Sequence, residues 1–179
     1  MEKKLSNIIL TKNEEEVIAD CLESLKGLGD EIIVVDAESS DRTTQIADHL
    51  GAKIITHKFL DFASQRNFGM SKALGDFVLY IDADEQLTPE FKGEVRQIID
   101  KFDKSGSIGG YFLRRKTFYF GRDWDFFDRV QRLFYKNNFK EWYGVVHETP
   151  KIKGTFGTIS APILHFTHRN LFQMLEKTN

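Results

Sequence analysis

The sequence predicts an α/β fold in which a mostly parallel central sheet is flanked by helices. Two short, continuous apolar runs, at 31–36 and 76–82, have the pattern of strands that are buried on both faces. Amphipathic helical patterns separate these runs from other strand-like segments in the first half of the chain. Alternation of strands and helices favours parallel pairing, because each helix returns the chain to the same edge of the sheet.

Each element of the first half has its own local signal. Strands are predicted at 5–11, 31–36, 53–56 and 76–82, and helices at 14–26, 43–50 and 61–73. Asn13, with Glu16 three residues later, is typical of a capping box at the start of the first helix. Gly27 and Gly29 are the expected end of that helix.

A fourth helix and then a change of pattern follow the second buried strand. Thr88 is the predicted N-cap of this helix, because Pro89 stands at its first position, where proline is favoured. Its expected inner face consists of Phe91, Val95, Ile98 and Phe102.

Beyond a break at 105–110 we expect only short strand-like pieces. Thirteen of the 23 aromatic residues fall between Tyr111 and Tyr143, which suggests that some of them line a binding surface.

The length of 179 residues predicts a single domain over 1–179, with halves at 1–104 and 105–170. Residues 170–179 have the pattern of an amphipathic helix that stops abruptly, which suggests a chain that continues beyond Asn179.

The one cysteine, Cys21, excludes an intrachain disulfide and favours a reducing compartment. Its position on the apolar stripe of a helix predicts a small, buried side chain.

Charge and hydropathy restrict the partners. The net charge of −2 provides no general attraction for nucleic acid, so we expect no nucleic-acid partner. No segment has the pattern of a signal peptide or a transmembrane helix. We therefore expect a cytoplasmic location, and peripheral contact with the inner face of the membrane stays open.

Polar side chains follow three of the predicted strands, at Thr11, Asp36 and Asp82. In parallel α/β sheets, ligands bind beyond the carboxyl ends of the strands, which predicts one shared crevice. The triplet Asp82-Ala83-Asp84 offers hard oxygen ligands that suit Mg²⁺ or Mn²⁺ together with substrate phosphates. The alternative for this triplet is a solvated acidic turn that caps the next helix.

Other polar residues have a functional and a structural interpretation. Asp36 could accept hydrogen bonds from a base or a ribose hydroxyl, while Ser40 or Asp41 could cap the second helix. Arg66 could bind phosphate through its fork of donors or form an exposed salt bridge.

The second half contains a candidate base and two candidate metal ligands. His147 or Glu148 could deprotonate an attacking hydroxyl, although a surface pair is the alternative. His165 and His168 are each either a metal ligand or a structural histidine.

Taken together, these segments resemble the inverting glycosyltransferases of family 2, which have the GT-A fold. The resemblance runs from about residue 5 to 167 and is carried by Thr11-Lys12-Asn13-Glu14, Val34-Val35-Asp36, Ser39-Ser40-Asp41, Gln65-Arg66-Asn67, Tyr80-Ile81-Asp82-Ala83-Asp84-Glu85 and Val146-His147-Glu148. The combination is most similar to the subgroup that adds a hexose to the lipopolysaccharide core. The resemblance implies a nucleotide-binding half at 1–104 and an irregular, aromatic-rich acceptor half at 105–170.

The resemblance also implies a role for each site residue. The nucleoside would be held by Thr11, Asn13, Glu14, Asp36 and Ser39. Arg66 would lie near the phosphates, and Asp82 would serve both the nucleotide and its metal. Asp84 would be the more direct ligand of Mg²⁺ or Mn²⁺, and His165 would complete the metal shell. Glu148, with His147 beside it, would be the catalytic base.

The implied reaction is metal-dependent, inverting transfer of a hexose from a nucleotide sugar, a UDP-sugar, to a saccharide or lipid-linked acceptor in cell-surface polysaccharide or lipopolysaccharide synthesis. Two departures from the family's pattern stand out. Asp36 is followed by Ala37 where many relatives carry a second aspartate, and His147-Glu148 substitutes for the family's Glu-Asp catalytic pair.

Three other functions are alternatives for this sequence. A polyprenyl-phosphate glycosyltransferase would place the aromatic segment against lipid, and a non-catalytic module would bind a nucleotide sugar without turning it over. A nucleotidyltransferase is disfavoured, because 11–16 contains no glycine for a phosphate loop.

Overall fold

A computed structural model describes residues 4–145 and 147–167. The helices are α1 (Ile18–Leu25), α2 (Thr43–His49), α3 (Phe62–Lys72) and α4 (Pro89–Lys101). The strands are β1 (Leu5–Thr11), β2 (Glu31–Asp36), β3 (Lys53–Thr56), β4 (Phe77–Asp82), β5 (Glu85–Leu87), β6 (Ile108–Tyr119), β7 (Arg122–Tyr135), β8 (Phe139–Tyr143), β9 (Thr149–Ile152) and β10 (Thr155–Thr167). Within these ranges, no helix is long and apolar enough to span a bilayer.

The central sheet has eight strands in the order β3-β2-β1-β4-β7-β6-β10-β5, while β8 and β9 form a separate hairpin. β1 pairs in parallel with β2 and β4, and β2 with β3. β4 and β6 each pair antiparallel with β7, β6 pairs in parallel with β10, and β5 pairs antiparallel with β10. The predicted α/β fold with a mostly parallel central sheet is therefore confirmed.

Helices cover both faces of the sheet, because each strand of the first half is apolar on both sides. On one face, buried side chains of α1 and α4 join the main core, and Ala47 of α2 packs with them. On the other face, Ala63 and Met70 of α3 pack with Ile8, Tyr80 and Trp142. Cys21 is fully buried, as its place in the α1 pattern predicts.

The predicted start of the first helix is wrong. α1 begins at Ile18, and Val17 at its N-cap position makes no side-chain capping bond. Asn13 instead adopts a left-handed conformation with φ 54°, and its Oδ1 accepts a hydrogen bond from Ser40 N at 2.8 Å. Asparagine tolerates this backbone region better than most residues. The local capping pattern therefore gives way to a bond between two loops.

The other helix ends follow their local signals more closely. Thr88 caps α4 by accepting a hydrogen bond from Phe91 N at 3.1 Å. Asp61 caps α3 in the same way. At α2 the N-cap residue is Arg42, so the prediction of Ser40 or Asp41 at that position is wrong. Asp41 still accepts a bond from Thr43 N at 2.9 Å, which satisfies a backbone donor of the first turn.

The second half is more regular than the sequence pattern indicates. Instead of short pieces, it forms long strands of 12 residues (β6), 14 residues (β7) and 13 residues (β10). Register shifts in β6 and β10 interrupt the alternation of inward and outward side chains along these strands. The predicted helix at 170–179 and the candidate metal ligand His168 lie outside the described residues.

Gly29→Ala tests the packing in the first half of the chain. Its φ is +93°, and a Cβ there would collide with the amide of Asn7, whose Nδ2 donates to Leu28 O at 2.6 Å. We expect Gly29→Ala to lower the free energy of unfolding by about 3 kcal/mol, from backbone strain plus the clash. Gly51→Ala is the control, because its φ is +84° but no atom lies within 4 Å of the added Cβ. It should cost about 1 kcal/mol in urea unfolding. Equal losses for the two variants would contradict this account.

Candidate active site

A crevice of about 520 Å³ opens at the carboxyl ends of β1 and β4. The parallel register brings these ends together, since Thr11 pairs with Asp36 and Leu10 with Asp82. Of the predicted site residues, the crevice is lined by Thr11, Glu14, Arg66, Asp82, Asp84, Glu148 and His165. A common site for residues so far apart in sequence is what the strand-end argument predicts.

Four predicted site residues, Asn13, Asp36, Ser39 and His147, are not among those lining the crevice. Asp36 is 2% exposed and holds the loop behind the crevice: its Oδ1 accepts from Thr11 Oγ1 at 3.1 Å and its Oδ2 from Ser39 N at 2.9 Å. Ser39 Oγ in turn accepts from Asn13 N at 2.9 Å. These side chains therefore support the wall that carries Thr11, while the side chain of His147 is exposed to solvent.

Asp82 lies between two buried arginines. Its Oδ1 accepts from Arg66 Nη2 at 3.2 Å, and its Oδ2 accepts from Arg132 Nη2 at 2.7 Å. Burial of the carboxyl would raise the pKa of Asp82, but Arg132 and Arg66 outweigh it and hold that pKa well below its usual range. Asp82 thus joins α3, β4 and β7, and both of its oxygens are engaged by cations.

Arg66 connects Asp82 to the candidate base. Its Nε donates to Glu148 Oε1 at 2.9 Å, so the guanidinium bridges two carboxylates. The guanidinium carbon also lies 5.2 Å from the ring centre of Trp142 and 5.5 Å from that of Tyr80. The carboxylates favour the charged form and raise the pKa of Arg66 despite its burial. Arg66 is therefore a fixed cation, and the predicted alternative of an exposed salt bridge is wrong.

Glu85, to which the sequence assigned no role, holds the acidic turn through its buried side chain. It is fully buried, and its Oε2 accepts from Asp82 N at 2.9 Å. Its Oε1 accepts from Arg115 Nη1 at 3.3 Å. Burial, together with the nearby charge of Asp82, raises the pKa of Glu85. The turn is therefore fixed by a buried side chain and is not the freely solvated turn that was the alternative.

Asp84 and His165 also line the crevice and contact each other. His165 Nε2 lies 3.4 Å from Asp84 Oδ2, and its Nδ1 lies 3.2 Å from Thr117 Oγ1. β10 sets this contact, because its register places His165 opposite Glu85, next to Asp84 in sequence. A hydrogen-bond partner on one ring nitrogen, here the Thr117 hydroxyl, orients a histidine whose other nitrogen can bind a metal.

The donor set fits a divalent cation that also binds substrate phosphates. Within residues 4–145 and 147–167, no group of three or more histidine, cysteine, aspartate or glutamate side chains could hold a metal by itself. Mg²⁺ is usually bound by one or two carboxylates plus phosphate oxygens. The carboxylate of Asp84 and the imidazole of His165 match that partial shell, whereas Asp82 is engaged by its arginines.

The structure adds crevice residues that the sequence analysis missed. Lys12 follows Thr11 at the end of β1, where polar residues were already singled out. Arg132 is a cation in the otherwise apolar end of β7, which is a detectable signal. Phe59 and Phe62 are 46% and 48% exposed and supply the aromatic lining. The aromatic residues between Tyr111 and Tyr143 do not line this crevice.

The fold and this crevice define a glycosyltransferase of the GT-A class. The chain belongs to glycosyl transferase family 2, whose family model matches residues 6–156. An uncharacterized glycosyltransferase from Rickettsia prowazekii is 30% identical over 196 residues, covering 99% of this chain and 65% of that protein. One from Rickettsia typhi is 48% identical over 96 residues, covering 54% of this chain and 33% of that protein. The matched part thus spans between one third and about two thirds of these relatives' length.

Two solved structures are similar to about two thirds of the chain. TarS 1-349 of S. aureus, solved alone and with UDP, has 27% identity and a TM-score of 0.54, covering 64% of this chain and 36% of that one. Glucosyl-3-phosphoglycerate synthase from Mycobacterium tuberculosis, solved with Mn²⁺ and UDP, has 25% identity and a TM-score of 0.51, covering 65% of this chain and 44% of that one.

Asp82→Asn tests the central ion pairs. The lowered pKa of folded Asp82 means that its contribution to stability is present above about pH 4, the usual carboxyl range, and is lost as the pH falls through the folded value. We expect the substitution to cost about 2 kcal/mol at pH 7, less than a fully buried pair would lose, because the Asp82 side chain is 29% exposed. Urea unfolding at pH 7 and near pH 3 should show a smaller difference at the lower pH. Exposed Asp48→Asn should change little, and a pH-independent cost for Asp82→Asn would contradict this account.

Proposed function

We propose that this chain transfers a hexose from a UDP-sugar, with inversion, to a saccharide or lipid-linked acceptor in cell-surface polysaccharide or lipopolysaccharide synthesis. The observation that carries the proposal is one crevice in which Asp84 contacts His165 and a carboxylate, Glu148, is held by buried Arg66. Both halves, 1–104 and 105–170, contribute these groups, which supports one domain over 1–179.

The nucleoside would occupy the part of the crevice beside β1. Thr11, Lys12 and Glu14 line it there, and exposed Phe59 and Phe62 offer apolar faces. Asn13, Asp36 and Ser39 act through the loops that they hold in place. UDP as the nucleotide is supported by the UDP complexes of the two similar structures.

The diphosphate would lie between the two ends of the crevice. Asp84 and His165 would hold Mg²⁺ or Mn²⁺ there, and the cation would neutralise the charge that develops on the leaving diphosphate. The Mn²⁺ complex of the mycobacterial synthase supports this choice of metal. Arg66, which the resemblance places near the phosphates, and Arg132 add fixed positive charge to the same crevice. Asp82 would hold these arginines, and it is paired with them rather than available as a ligand.

Glu148 would accept the proton of the acceptor hydroxyl as that oxygen attacks the anomeric carbon from the side opposite the diphosphate. A single displacement of this kind inverts the anomeric configuration. Arg66 Nε binds Glu148 Oε1, which orients the carboxylate and leaves Oε2 for the acceptor. His147, next to it in sequence, is exposed to solvent and would contact the acceptor.

Asp84→Asn tests the metal pair. It removes the charge of one ligand but keeps the side-chain volume, so we expect turnover to fall by roughly 10²-fold or more. UDP should raise the melting temperature of the wild type more with Mn²⁺ than without it, and Asp84→Asn should lose this difference. Asp48→Asn, on the exposed side of α2, should behave as the wild type. A retained Mn²⁺ effect in Asp84→Asn would exclude this residue as a ligand.

Glu148→Gln tests the base. The amide oxygen can still accept from Arg66 Nε, but it cannot take up a proton, so we expect kcat to fall by about 10²–10⁴-fold. Binding of UDP with Mn²⁺ should stay within a few-fold of the wild type. Glu141→Gln removes a glutamate from an exposed ion pair with Lys151 and serves as the control. Near-normal turnover of Glu148→Gln would rule out the assigned base.

A further inference from the structure

Two arginines oppose each other on the second half of the sheet, away from the crevice. Arg114 of β6 and Arg129 of β7 are direct cross-strand partners. Side chains at paired positions leave the sheet on the same face, so these two cations are neighbours. Both residues are exposed. Like charges at paired positions repel, and this arrangement is unfavourable unless an anion compensates it.

Neither arginine has a carboxylate partner in the described parts of the chain. Arg129 Nη2 donates to Thr158 Oγ1 at 2.7 Å, a neutral hydroxyl on β10. Asp128, the acidic residue nearby, is engaged by Arg115, whose Nε donates to its Oδ1 at 2.9 Å. The positive charge of the pair is therefore uncompensated by these residues.

Aromatic rings hold the two guanidinium groups in place. The guanidinium carbon of Arg114 lies 3.8 Å from the ring centre of Phe127, and that of Arg129 lies 4.8 Å from the ring centre of Phe112. A guanidinium stacked on a ring keeps its N–H groups available at its edge. Because the stacking already restricts both side chains, an anion that binds them has less conformational freedom to remove.

A cavity of about 430 Å³ lies at this pair, lined by both arginines, Phe127, Asp128, Thr158 and Ser160 among others. It shares no lining residue with the crevice. Two guanidinium forks with an adjacent hydroxyl are the donors that suit a phosphate group. We propose that Arg114 and Arg129 form a second, phosphate-binding site, for either a lipid headgroup or a soluble phosphate-bearing molecule. This site does not depend on the proposed transfer reaction.

The test compares two double variants with the same loss of charge. Arg114→Gln with Arg129→Gln removes the pair, and Arg96→Gln with Arg122→Gln removes two exposed arginines elsewhere. Inorganic phosphate, at constant ionic strength set with chloride, should raise the melting temperature of the wild type and the control equally. The Arg114/Arg129 variant should show less than half of that shift. Phosphate bound in the crevice contributes equally to all three proteins, so equal shifts would overturn the proposal.

Sedimentation with vesicles separates the two sources of phosphate. Phosphatidylcholine vesicles that contain phosphatidic acid should bind the wild type and the control more than the Arg114/Arg129 variant if the ligand is a headgroup. If the Arg114/Arg129 variant loses the phosphate-induced rise in melting temperature and the wild type does not bind the vesicles, the site is assigned to a soluble phosphate-bearing ligand. Vesicle binding that is equal in both double variants, with no difference in phosphate protection, would overturn it. Circular dichroism of each variant before the measurements checks that it is folded.

Discussion

The ion pairs of Asp82 are the interaction on which the rest of the site depends. Its two carboxylate oxygens bind Arg66 of α3 and Arg132 of β7, so one side chain joins a helix to two strands of opposite direction. Each arginine is buried and would be costly without this carboxylate. The other arm of Arg66 reaches Glu148, so the position of the candidate base follows from the position of Asp82.

The ion pairs of Asp82 also explain why the carboxylates of the acidic turn have different roles. Asp82 binds the buried Arg66 and Arg132, and Glu85 binds the half-buried Arg115, so both organise the turn, whereas Asp84 faces His165 at the crevice. These neighbouring carboxylates have different surroundings because Asp82 ends β4, Asp84 lies in the turn, and Glu85 begins β5. A metal and a diphosphate would then meet Asp84 in a crevice whose opposite part is already fixed by arginines.

The local patterns were sufficient for most of the first half. The strands at 31–36 and 53–56 lie where their apolar runs predict, and Thr88 caps α4, because these features depend on neighbours in sequence. The exceptions are the N-cap of α2, the start of α1, and Asn13, whose side chain binds Ser40 in the next loop. In the second half, register shifts disturb the alternation of side chains, so the long strands of 108–167 could not be recognised from periodicity.

By itself, the sequence determined the α/β class, the family resemblance and the placement of Thr11, Asp36 and Asp82 at strand ends, since each of these follows from short segments. Only the tertiary structure decided what these groups touch. Asp36 turns inward to Thr11 of the neighbouring strand. Arg132 reaches Asp82 from 50 residues away, because β7 pairs antiparallel with β4. The contacts of Glu148 and His165, like the opposition of Arg114 and Arg129, also depend on long-range pairing and packing, which no local pattern encodes.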